Sequence, residues 1–170
     1  ITPTAGSNSP VCVGNSLTLS SSATGGGGSY SYSWSGPLSY SNLTQNPTVS
    51  ATATAGMAGT YTVTVTDANT CTVSANTSVV VNPLPTISTT GTVAAKCYST
   101  SSQTTTLPYT ATTNSPTTYS IVWTGLSNQS STAFAFAAGG GTINNIAVPA
   151  GAVAGTYSGT MTISNGNGCT

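Results

Sequence analysis

The run Tyr61-Thr62-Val63-Thr64-Val65-Thr66 puts an aromatic or branched apolar side chain at every second position and threonine between them. Successive side chains of an extended strand point to opposite faces, so this pattern encodes a strand with one dry and one wet side. Ser16-Leu17-Thr18-Leu19-Ser20 and Tyr30-Ser31-Tyr32-Ser33-Trp34 repeat it. Gly, Pro, Asn and Ser fill the gaps, and turn signals return every 8–14 residues or so. No stretch combines a 3.6-residue period with caps and helix formers. The reading is all-β, with antiparallel sheets packed as immunoglobulin-like sandwiches.

Composition removes most chemistry. The 170 residues hold one Asp (Asp67), one Lys (Lys96), no Glu, no Arg and no His. General acid–base catalysis needs a positioned group that exchanges a proton near neutral pH, and nucleophilic hydroxyls need a base beside them. One carboxylate and one amine in different halves of the chain supply neither, so no enzyme, no catalytic residue and no cofactor is expected. Zinc calls for Cys and His clusters and calcium for several carboxylates, so no metal site is expected either. A single Lys cannot neutralise a phosphate backbone, which excludes nucleic acid as a partner. The apolar runs, such as Ala133 to Ala138, are strand-sized, too short for a helix spanning a bilayer, and membrane insertion is not expected. With a formal net charge of zero, little opposes self-association.

The chain reads as two related halves. Asn82-Pro83-Leu84-Pro85 looks like a stiff junction. Before it come Cys12, Trp34, Gly59-Thr60-Tyr61 and Cys71; after it come Cys97, Trp123, Gly155-Thr156-Tyr157 and Cys169. The predicted organisation is a tail of a preceding repeat over 1–4, a sandwich over 5–82, a Pro-rich linker over 83–86 and a second sandwich over 87–170. Thr72 to Val81 follows the second cysteine of the first half and reads as a last strand. The second half has no counterpart after Cys169, so its sandwich is expected to lack that strand. The mismatched ends lead us to expect a window of a longer tandem array, or a unit completed by a strand from a neighbour.

Pairing the cysteines within each half predicts Cys12–Cys71 and Cys97–Cys169; the other pairings would tie the halves together. Neither C-x-x-C nor His supports zinc instead. Disulfides imply an oxidising compartment. Each would close a loop of roughly 60 to 70 residues, worth about 4 kcal/mol in the chain-entropy view, and would pin the first strand to the last hairpin.

Trp34 and Trp123 read as core plugs, with carbohydrate stacking the rival role. Tyr61 and Tyr157 read as corner tyrosines. Tyr30, Tyr32 and Tyr40, near the run Gly25 to Gly28, are the candidate contact surface, with plain packing as the alternative. Asp67-Ala68-Asn69-Thr70 reads as a turn. Asn42, Asn76 and Asn128 stand in N-glycosylation sequons.

Gly59-Thr60-Tyr61-Thr62-Val63-Thr64-Val65-Thr66-Asp67-Ala68-Asn69-Thr70-Cys71, followed by Val79-Val80-Val81-Asn82-Pro83-Leu84-Pro85-Thr86-Ile87, resembles the PKD/Ig-like tandem repeats of very large Bacteroidota surface proteins. Cys97-Tyr98-Ser99-Thr100, Leu107-Pro108-Tyr109-Thr110-Ala111-Thr112-Thr113 and Asn167-Gly168-Cys169 resemble another repeat of the same proteins. The resemblance covers nearly the whole chain. It implies an extracellular, cell-surface location and a place in gliding-motility-type adhesins exported by the type IX system. The expected role is a structural or adhesive repeat segment. A self-assembling filament subunit and a glycan-binding module are the alternatives. Expected partners are neighbouring repeats or copies of the chain, together with surface glycans or a substratum.

Overall fold

The computed structural model describes all residues, Ile1–Thr170, which form two compact units, Ile1–Pro83 and Leu84–Thr170. Strand is 52% of the chain and helix 4%, which makes the protein all-β.

In the first unit the strands are β1 (Thr2–Ser7), β2 (Val11–Cys12), β3 (Leu17–Thr24), β4 (Ser31–Gly36), β5 (Tyr40–Asn42), β6 (Thr48–Ser50), β7 (Gly59–Thr66), β8 (Thr72–Val79) and β9 (Val81–Asn82). One sheet runs β1-β3-β6 and the other β5-β4-β7-β8, while β2 and β9 make a short parallel pair. The alternation of β7 is realised in full: Tyr61, Val63 and Val65 are buried between the sheets, and Thr62, Thr64 and Thr66 lie on the other face. Leu17 and Leu19 from β3, Trp34 from β4 and Val79 from the end of β8 join them in the core, with Val11, Ala53 and Val81.

In the second unit the strands are β10 (Thr86–Thr89), β11 (Gln103–Thr113), β12 (Pro116–Trp123), β13 (Gln129–Ala133), β14 (Gly141–Val148) and β15 (Gly159–Asn165). The sheets run β10-β11-β14 and β13-β12-β15. Leu107, Tyr109, Tyr119, Ile121, Ile143, Ile146 and Ile163 form the core. Ile143 and Ile146 both face inward although three residues apart. The pairing explains this: Thr105 lies opposite Ile146 and Leu107 opposite Ile143, so β14 carries one extra residue there. Asn145 takes φ +63° within that bulge.

Two boundaries differ from the sequence reading. Residues 1–4 are not a tail, because Thr2 to Ser7 pairs antiparallel with β3 from Thr24 back to Leu19. The linker assigned to 83–86 is narrower, since the units meet at Pro83 and Leu84 and Thr86 already opens β10. β15 pairs with β12 alone, whereas its counterpart β7 pairs with both β4 and β8. Within Ile1–Thr170 the side of β15 away from β12 carries no paired strand.

Candidate functional site

A dense cluster of hydrogen bonds organises the turn after β7. Asp67 is 6% exposed. Its Oδ1 accepts the backbone N–H of Asn69 at 2.9 Å and of Cys71 at 3.0 Å. Its Oδ2 accepts Gly27 N–H at 2.9 Å. Those donors favour the ionised form, and the Gly27 N–H, the foremost of them, helps hold the carboxyl below the ordinary aspartate value of 3.8. This carboxylate ties down the glycine run Gly25 to Gly28 at Gly27. A Cβ on Gly26, where φ is +70°, would sit 2.5 Å from Asp67 Oδ2, so only glycine fits that approach.

The second unit builds the same turn with an amide. Asn165 Oδ1 accepts Asn167 and Cys169 N–H, each at 3.1 Å. The backbone bonds match as well: Asp67 N–H to Cys71 O at 3.1 Å and Thr70 N–H to Asp67 O at 3.0 Å, against Asn165 N–H to Cys169 O at 3.1 Å and Gly168 N–H to Asn165 O at 3.0 Å. Cys71 and Cys169 thus occupy equivalent places. The shared spacing Asp-x-x-x-Cys and Asn-x-x-x-Cys is the sequence signal for it.

The cysteine pairing is corrected. Cys71 and Cys97 are free, exposed thiols, and Cys12 and Cys169 are the disulfide-bonded cysteines. Neither Cys12–Cys71 nor Cys97–Cys169 forms, and strand length explains why. Cys12 pairs with Asn82, beyond the end of β8, while Cys71 lies before its start. Eight residues at about 3.3 Å each separate the two by roughly 25 Å, against about 4.4–6.8 Å between the Cα atoms of a disulfide. In the second unit Gln103, the first residue of β11, donates its side-chain amide to Cys97 O at 2.8 Å. Cys169 lies beyond Asn165, which faces Pro116 near the far end of β11. The eleven residues of β11 span roughly 35 Å.

The aromatic landmarks diverge between the units. Trp34 is 1% exposed and its indole N–H donates to Gln45 O at 3.2 Å. Trp123 is not in the buried core but packs against it, and its indole N–H is enclosed without a partner. With the turns at Asp67 and Asn165 as reference, Val63 corresponds to Met161, and Tyr61 to Gly159. Trp34 faces Val63, but Met161 faces Ile121 and Trp123 faces Gly159. Ile121 therefore holds the place of Trp34, and Trp123 is displaced two residues along the strand. It fits because Gly159 has no side chain: a Cβ there would meet the Trp123 ring at 2.5 Å. Tyr61 and Tyr157 keep one feature in common. Each hydroxyl donates to the carbonyl four residues upstream, Met57 at 3.0 Å and Val153 at 2.8 Å. Tyr61 is buried within β7, however, and Tyr157 is half-buried in the coil before β15.

Tyr30, Tyr32 and Tyr40 do not form one surface. All three are half-buried against the first core. Tyr30 and Tyr40 lie near opposite ends of β4, and Tyr40 packs edge-on to Tyr61 with ring centres 5.5 Å apart. Of the sequon residues, Asn76 and Asn128 are exposed and Asn42 is half-buried. Asn128 accepts Trp123 N–H at 2.9 Å, and Asn42 accepts Thr44 N–H at 2.8 Å.

Sequence reasoning missed a cleft. Within the second unit, Leu107, Ile121, Trp123, Ile146, Met161 and Tyr157 contribute to the lining of an open space of about 800 Å³. Displacement of Trp123 and Tyr157 from the core positions held by Trp34 and Tyr61 leaves this end of the sandwich unfilled.

No protein-family model matches the chain, and no curated protein matches it. Among solved structures, the fibronectin(III)-like modules of Clostridium thermocellum CbhA are similar at 13% identity. That match covers 97% of this chain and 87% of the other, with a TM-score of 0.47.

Proposed function

We propose that the chain is a structural and adhesive segment of a secreted cell-surface protein. One observation carries this reading: the chain's only side-chain carboxylate, Asp67, is spent on three backbone N–H groups, holding a hairpin to a glycine loop. It braces the fold and is not presented to a substrate. The hydroxyl-rich outer faces of two separately cored sandwiches agree with a module that sets length and offers surface. Bonded cysteines agree with an oxidising compartment. The test is protease shaving of intact cells that make the protein, followed by mass spectrometry. Release of peptides from this chain without cell lysis is the expected result; protection until lysis counts against the reading.

The formal net charge of zero favours a second reading, a self-assembling filament or sheath subunit completed by strand donation from a neighbour, because little electrostatic repulsion opposes association of copies. Sizing at rising concentration separates the two, because a persistent monomer counts against the filament.

A further inference from the structure

The four cysteines fall into two structural classes. Cys71 and Cys169 are the hairpin cysteines, placed by the same hydrogen-bonded turn after Asp67 and Asn165. Cys12 and Cys97 are the opening cysteines. Each lies between the first and second long strands of its unit, five residues before Leu17 and six before Gln103. The bonded cysteines, Cys12 and Cys169, are one of each class. The two free thiols, Cys97 and Cys71, are also one of each class, and both are exposed.

We propose that Cys97 of one copy of this chain and Cys71 of a second copy are complementary half-cystines that join copies head to tail. This deepens the extracellular structural reading and rests on it for the oxidising compartment. One Cys97–Cys71 bond leaves a Cys71 on one copy and a Cys97 on the other still unpaired, and each can take up a further copy. With almost no net charge, little electrostatic repulsion opposes the approach. The oxidant is a small-molecule disulfide such as glutathione disulfide. Cys71 first forms a mixed disulfide with it, releasing one glutathione thiol. The Cys97 thiolate of the other copy then attacks Cys71 Sγ. The Sγ–Sγ bond forms, the bond from Cys71 to glutathione sulfur breaks, and the departing thiolate takes up a proton. Overall, two protein thiols are oxidised and one glutathione disulfide is reduced to two thiols.

The test uses the whole 170-residue chain as Cys71→Ser and Cys97→Ser variants, mixed in equal amounts and oxidised with glutathione disulfide. Thermal melts matching the wild type establish that both are folded. The expected product is a mixed dimer carrying a Cys97–Cys71 cross-link by mass mapping, with homodimers lost to background. The wild type gives a ladder beyond dimer on a non-reducing gel. Homodimers in statistical yield, a Cys71–Cys97 bond within a monomer, or both thiols merely capped by glutathione overturn the proposal. Cell shaving reports separately: peptides released from intact cells with no ladder in vitro leave the surface reading standing and remove only the cross-link.

Discussion

At the scale of single residues, the two turns form a natural pair of variants. Asp67 and Asn165 fix the same backbone, but only Asp67 titrates. Its carboxyl is lowered from 3.8, with the Gly27 N–H the foremost cause. A depressed acid stabilises the folded state fully above its unfolded value, and that contribution is lost as pH falls through the lower, folded one. The first unit therefore loses melting temperature on acidification below about pH 4, and Asp67→Asn flattens the profile over the same window. Melts of both forms between neutral and strongly acidic pH check this. The turns also differ at the residue with positive φ, which is Thr70 at 62° and Gly168 at 75°. A β-branched residue there is strained by about 1–2 kcal/mol. Thr70→Gly, which copies the second unit, is expected to stabilise the first by about 1 kcal/mol in denaturant unfolding. The displacement of Trp123 belongs to this scale too. Cys71 follows Tyr61 by ten residues and Cys169 follows Tyr157 by twelve. Those two extra residues are visible in the sequence. Their meaning is not, because only cross-strand register shows that Trp123 faces a glycine.

Among elements, strand existence was the legible part. The alternation in β3, β4 and β7 can be read directly because one face of each is dry. Cysteine pairing was not legible, for a physical reason. Each long strand carries the chain from one end of a sandwich to the other, so a residue's end depends on how many full crossings precede it. The short β5 and β6, three residues each, make that count ambiguous from sequence, and Cys12 and Cys71 fall at opposite ends. The bulge in β14 was hidden likewise, since two isoleucines three apart fit no simple period. The edge of β15 has a measurable consequence. Amides of β7 are flanked on both sides, while amides of β15 that point away from β12 have no acceptor strand. Hydrogen exchange is expected to show alternate β15 amides exchanging much faster than their β7 counterparts; uniform protection along β15 would mean that its edge is covered.

For the whole molecule, each unit has its own core, and the two clusters share no residue. Damage to one core should then leave the other standing. Leu17→Ala, at a fully buried site, is expected to cost the first unit about 2–5 kcal/mol. Calorimetry should show one transition shifted down and the other unmoved. The central proposal, that the chain is a structural and adhesive segment of a cell-surface protein, is tested most directly by removing it from the cells that make it and counting attached cells. Loss of attachment or surface assembly with growth in suspension unchanged is the expected result. Unchanged attachment together with a metabolic growth defect would contradict it.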